Sequence, residues 1–235
     1  MQALRKKKKD QSLSRQIYFF DVQIINSMYS FMMNAHYIEF FFDCSSPWTY
    51  LSFKAINQLA NENNIEVVYK PILVGGIFNT INPSVYESRA NPVPAKEKYY
   101  LDDIQNWANT RNIIINWPSI FPVNSVKAMR GCLYAQSKNI IYEYALSIFE
   151  AYWTHNKDIS SDDVLEELCS DNGLDFLEFS KFINMQSTKD ILIKNSEDLI
   201  NQGGFGSPTF YYKNKMFFGN DRVELLSNLI KKELI

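Results

Sequence analysis

FFFDCSSPWTYL, residues 40–51, reads as a buried strand that runs into a Ser-Pro and turns at once into a helix. The strand starts upstream at Tyr37. YIEFFFD is rich in aromatic residues and mostly apolar on both faces, as a strand covered on both sides must be. Ser46 has the chemistry of an N-cap, and Pro47 then falls at the first helical position, where its missing N–H leaves nothing unsatisfied. Leu51, Ala55, Ile56, Leu59 and Ala60 follow at helical spacing, and Asn63-Asn64 closes the helix. IEVVYKPIL is a second strand. Strand, helix and strand with connections this short predict a right-handed parallel pair.

Downstream, residues 74–96 (VGGIFNTINPSVYESRANPVPAK) are dense in Gly, Pro and Asn and read as a long loop, of a length that is usually functional or disordered. From there to about residue 202 the pattern is helical. Helices are expected over 95–110, 124–138, 140–154, 161–171, 174–184 and 187–202, with Asn124 or Ser125 and Ser161 as caps and Gly173 as a stop. The period then reverts: SPTFYYKNKMFFGNDR gives strands at 209–212 and 215–218 around a tight turn at Lys213-Asn214. An amphipathic helix with C-terminal lysines ends the chain. The order is βαβ, a helical block, then ββα. Composition and periodicity alone support α/β with a helical lobe. The order is that of a thioredoxin-like domain made from 37–94 and 203–235, with an all-helical insertion at 95–202.

The 235 residues suffice for one large domain or a small domain carrying a second lobe. The net charge of −2 gives no reason to invoke nucleic acid. Residues 1–36 stand apart, with six Lys/Arg against Asp10 and Asp21, while the remainder holds 18 basic and 24 acidic residues. Asp21, Gln23 and Asn26 interrupt the apolar run in this head, which argues against a secretory signal. A late start at Met33 or a disordered extension is favoured over a targeting segment. No run of 18 apolar residues predicts a membrane span. Cys44, Cys132 and Cys169 have neither metal nor redox spacing, and an odd, sparse count suits a reducing, cytoplasmic compartment. His36 and His155 lack metal-ligand spacing.

A helix N-terminus presents unpaired N–H groups and the positive end of a dipole, so it stabilises an anion such as a thiolate. Ser46 stands at that place. Taken alone, Ser-Pro at a helix start is more often a cap than a catalytic group. A second signal shifts the balance: in GGFGSPTF, residues 203–210, Pro208 opens a strand after the helical block, where thioredoxin-like folds carry a cis-proline beside the first helix. A dithiol oxidoreductase of that fold has Cys-Pro-x-Cys at the turn. The four positions here are Ser46, Pro47, Trp48 and Thr49, so a disulfide relay at this place is chemically excluded. Cys44 falls two residues early and reads as a small buried hydrophobe.

With these residues in view, the sequence resembles the 2-hydroxychromene-2-carboxylate isomerases and the related kappa-class glutathione transferases, which share a DsbA-like thioredoxin fold. The likeness runs from about Tyr37 to the C-terminus through FFDCSSPWTYL, PILVGGIF, VPAKEKYYLDDIQNWA, FEAYW, GGFGSPTF and FFGNDRVELL. It implies glutathione as cofactor. Ser46 would bond its sulfur, and Ser207, before a cis Pro208, would pair with its cysteine backbone. Asn220 and Asp221 would bind the γ-glutamyl end. Lys96 would take the glycyl carboxylate, with Asn91 nearby or Asn82 in its place.

Each of these residues also has a bland reading: Asp221 as a helix-start charge, Lys96 as a solvated residue, the asparagines as turn formers. The implied reaction is cis–trans isomerisation of an aromatic keto-acid by reversible thiolate addition, of the kind used in aromatic-compound catabolism. The partner would then be a small aromatic molecule, and a homodimer is compatible with the resemblance. Trp48, Phe78 and Trp107 are candidate walls of an apolar acceptor pocket with an anion site. Alternatives are a kappa-like transferase that conjugates or reduces electrophiles, and a non-catalytic thioredoxin-like binding module.

Overall fold

The computed structural model describes residues 37–233, and the readings made of residues 1–36 lie outside the described residues. Strand β1 (Tyr37–Phe42) leads through the Ser46 turn into helix α1 (Pro47–Glu62) and then strand β2 (Glu66–Pro71), which pairs parallel with β1. Next come α2 (Val74–Ile81), α3 (Ser84–Ala90) and α4 (Pro94–Arg111). The chain continues through α5 (Val126–Ser137) and α6 (Ile141–Phe149), whose last turn, Glu150–Thr154, widens to a π-helix. It goes on through α7 (Asp162–Asp171), α8 (Phe176–Asn184) and α9 (Gln186–Asn201). Strands β3 (Thr209–Tyr212) and β4 (Lys215–Phe218) and helix α10 (Arg222–Glu233) complete it.

The sheet runs β2-β1-β3-β4, with β3 antiparallel to β1 and to β4. β1 is therefore central, which is why both its faces had to be apolar. Ile38, Phe40 and Phe42 enter the larger core, which α1, α5 and α6 cover, while Phe41 faces a smaller cluster with Ile77 of α2 and Leu199 of α9. Aromatic stacking joins the first helix to the helical block: Tyr50 lies on Phe149 at 5.3 Å and Phe53 on Tyr142 at 5.4 Å. The hairpin turn uses Lys213 and Asn214, both at positive φ, as a tight antiparallel turn requires.

One expectation is corrected. Residues 74–90 are two short helices, not a loop. Periodicity could not show this, because the first N–H of α2 is capped by a carboxylate 31 positions away, and α3 buries none of its side chains. The expected helix over 140–154 also changes character at Glu150, where the His155 N–H donates to the Glu150 carbonyl. Among the described residues, no helix is long and apolar enough to cross a membrane.

Candidate functional site

Ser46 caps α1 as its sequence position predicts. Its backbone is extended, with φ −101° and ψ 122°, and its Oγ accepts from the Thr49 N–H at 3.3 Å. The same hydroxyl donates to the carbonyl of Ser207 at 3.2 Å. That carbonyl belongs to the peptide bond entering Pro208, which is cis. The two sequence signals therefore meet at one hydrogen bond. In the first turn of α1, Pro47 has no N–H, Thr49 is served by the Ser46 side chain and Tyr50 by the Ser46 carbonyl. Among the described residues the Trp48 N–H has no partner, at the positive end of the helix. Such a place favours an anion, and Ser46 is 9% exposed.

The positions that sulfurs occupy in a dithiol enzyme carry other work here. Thr49 is wholly buried, and its Oγ1 lies 2.7 Å from the Ser207 Oγ. Cys44 is buried as a small apolar residue, and burial pushes its thiol well above the ordinary range, reinforced by the neighbouring Cys132 thiol. It is no nucleophile.

Asp43, at the end of β1, was not singled out from the sequence, yet it fastens the turn. One carboxylate oxygen accepts from the Ser45 N–H at 2.9 Å. The other accepts from the Val74 N–H at 2.9 Å and the Ser125 hydroxyl at 3.2 Å. The starts of α1, α2 and α5 thus converge on one buried side chain. Its backbone N–H donates to the Ser207 Oγ at 3.0 Å, which ties in the cis-proline loop as well. Burial pushes the Asp43 carboxyl above its ordinary value, and the hydrogen bonds from Ser45, Val74 and Ser125 pull it partly back.

The folded state therefore binds this proton more tightly than the unfolded chain. The contribution to stability is full below about pH 4 and is lost as pH rises through the folded value. In urea unfolding at a series of pH values, the stability of wild type relative to Asp43→Asn is expected to fall over that window. A difference that is flat or rises with pH would contradict the assignment.

The remaining candidate residues fall into two groups. Gly219 donates to the Pro208 carbonyl at 3.1 Å, which brings the Asn220-Asp221 turn against the cis-proline. The Asn220 amide is buried, and neither its nitrogen nor its oxygen has a partner among the described residues. Asp221 pairs with Arg222 at 2.7 Å, but both are about half exposed, so the pair is weak and the carboxylate open to a competitor. Asn82 reaches the same loop, donating to the Phe205 carbonyl at 3.3 Å. Asn91, by contrast, is the exposed C-cap residue of α3, with no tie to that loop. Lys96 is exposed on the first turn of α4, one helical turn before Tyr100, whose ring meets Trp48 edge-on at 5.5 Å.

Of the candidate wall residues, Trp48 heads a row of rings and Phe78 borders the loop before Ser207. Trp107 lies elsewhere: Arg111 covers it at 5.2 Å and pairs with Glu224 of α10. A groove of 390 Å³ beside that pair, lined by Gln58, Glu62 and Lys231 among others, lies towards the far end of α1 from Ser46.

Residues 37–231 match the family described as the DSBA-like thioredoxin domain. The chain belongs to this family. It is similar to a 2-hydroxychromene-2-carboxylate isomerase of Sphingobium xenophagum, with 23% identity over 193 residues, 82% of this chain and 97% of that protein. It is also similar to glutathione S-transferase kappa 2 of Caenorhabditis elegans, with 23% identity over 218 residues, covering 85% and 93%. A solved 2-hydroxychromene-2-carboxylate isomerase superposes with a TM-score of 0.73 at 21% identity, covering 84% of this chain and 96% of that one.

Within this DSBA-like domain, the sequence reading missed Asp43, Trp153 and Arg89. Asp43 carried a signal: an acidic residue closing an otherwise apolar strand. The Trp153 indole donates to the Cys44 carbonyl at 2.9 Å from 109 positions away, a contact that local sequence does not encode. Arg89 lay in the segment read as a loop.

Proposed function

We propose that this chain is a glutathione-dependent cis–trans isomerase of a 2-hydroxychromene-2-carboxylate-like aromatic keto-acid. The observation that carries the reading is the Ser46 hydroxyl at the start of α1, bonded to the carbonyl before cis Pro208, with no sulfur at either dithiol position. The residues fit the cofactor. Among the described residues the Trp48 N–H has no partner and the buried Asn220 amide has none, and a buried unsatisfied amide such as Asn220 fits a ligand that would pair with it. Ser46 would hold the sulfur, and the Ser207 backbone beside Pro208 would align the peptide as an added strand. Asn220 and Asp221 would take the γ-glutamyl end and Lys96 the glycyl carboxylate. Asn82, not Asn91, is the asparagine at the loop.

Glutathione held there would supply a thiolate, a nucleophile able to add reversibly to a conjugated double bond and so free it to rotate. The protein's own part is electrostatic. The dipole of α1, the Trp48 N–H and the Ser46 O–H lower the proton affinity of a sulfur placed there. To do so, Ser46 turns its proton from the Ser207 carbonyl to the sulfur, while its cap to Thr49 persists through a lone pair. The buried free thiols Cys44, Cys132 and Cys169 accord with a reducing, cytoplasmic setting.

The test is product analysis with 2-hydroxychromene-2-carboxylate and reduced glutathione, paired with glutathione calorimetry. The expected result is the isomerised acid with glutathione recovered in full. A stable thioether would assign the chain to transfer chemistry instead. Absence of both binding and turnover would reject a glutathione enzyme.

A further inference from the structure

Beside the Ser46 turn, an arc of side chains begins two residues past Ser46 and ends one residue before Ser207. Trp48 meets Tyr100 edge-on at 5.5 Å, Tyr100 meets Trp117 at 6.3 Å, and Trp117 meets Phe121 at 4.8 Å. The Arg89 guanidinium lies over the Phe121 ring at 5.3 Å and over the Phe78 ring at 5.9 Å. Phe78 in turn borders Gly206: a Cβ there would stand 3.8 Å from its ring. The two ends of the arc are joined by the Ser46–Ser207 hydrogen bond. Trp117 is 44% exposed, an uncommon surface for so large an apolar ring.

Arg89 is the distinctive member. Arg111 and Arg222 each pair with a carboxylate; among the described residues Arg89 and Arg130 have no such pair, and of these two Arg89 is the one that meets the rings of this arc. It lies beside two rings and is exposed, and its five N–H donors, which lie in the guanidinium plane, have no carboxylate partner among the described residues. A planar fork of this kind matches a carboxylate in two parallel hydrogen bonds.

We propose that this arc is the acceptor site, in which Arg89 binds the carboxylate of an aromatic acid whose apolar body lies against Trp48, Tyr100 and Trp117. The proposal rests on the isomerase reading for its placement beside Ser46, and it deepens that reading by naming the group that selects an anionic acceptor. Arg89 is then a specificity residue. It disfavours cationic aromatic ligands by repulsion and gives neutral aromatic ketones no charge-assisted affinity.

The test uses two probes with one skeleton: trans-benzylidenepyruvate, an aromatic 2-keto-acid, and benzylideneacetone, which lacks the carboxylate. Binding is measured by calorimetry without glutathione, so a failure of the cofactor reading leaves this result standing. Arg89→Ala is expected to weaken the acid about tenfold or more and to leave the ketone unchanged. Arg89→Lys should recover part of the loss. Trp48→Ala should weaken both probes. The proposal is overturned if wild type does not bind the acid, if Arg89→Ala leaves the acid unaffected, or if acid and ketone weaken equally.

Discussion

Replacing Ser46 with alanine is expected to lower kcat/KM with glutathione and the aromatic keto-acid by about a hundredfold, the effect of removing one well-placed donor from a developing or bound anion. The change has two separable parts. Loss of the cap to the Thr49 N–H costs about 1 kcal/mol of stability, which shifts the melting point but leaves the protein folded. Loss of the hydroxyl proton removes a stabiliser of the thiolate, so the bound thiol needs a higher pH to ionise. The ultraviolet thiolate absorbance of the glutathione complex should fall at neutral pH, and the acidic limb of the pH–rate profile should move upward. Ser46→Thr tests the same idea from the other side. The extended backbone at this position accepts a β-branched residue, and the hydroxyl is retained, so most activity should survive. An alanine variant with wild-type thiolate absorbance and rate would remove Ser46 from the chemistry and leave it a cap.

Trp153→Ala should be the most destabilising single change near the site, at about 3–5 kcal/mol. The indole is fully buried in the π-helical turn, packed on Tyr152 at 4.7 Å and on Trp117 at 5.9 Å, with its N–H on the Cys44 carbonyl. Alanine leaves a cavity and an unpaired carbonyl two residues before Ser46. Trp153→Phe separates the two losses: it keeps much of the packing and forfeits the hydrogen bond, so about 1–3 kcal/mol is expected. Chemical denaturation of the three proteins measures both. If phenylalanine proves as stable as tryptophan, the indole hydrogen bond does not hold the turn.

The parts of this fold that were readable before the structure are those whose causes are local. Ser46 and Pro47 define a helix start by their own chemistry. Lys213-Asn214 defines a hairpin between two strands of unmistakable pattern, and both strands fall at 209–212 and 215–218 as expected. The unreadable parts have remote causes. Helix α2 is capped by Asp43 across 31 positions, and two glycines disguise its start. In a chain that is 15% aromatic, Trp48 was a candidate wall residue but Trp117 and Phe121 were not singled out, and only the run of ring contacts from Trp48 through Tyr100 and Trp117 to Phe121 brings them together. Asn91 was the candidate that the resemblance implied, with Asn82 competing, and because both precede proline local sequence does not separate them; of the two, Asn82 is the one that reaches the Phe205 carbonyl.

Helix α3 sinks no side chain into the interior, yet it carries Arg89. Displacing it breaks no core contact, whereas Ser46 is anchored through β1 and Asp43 to the centre of the sheet. One jaw of the vise is bolted and the other is sprung. On the proposed acceptor site, bulkier acceptors are expected to be admitted by yielding on the arginine side alone, without disturbing the proposed alignment of the sulfur.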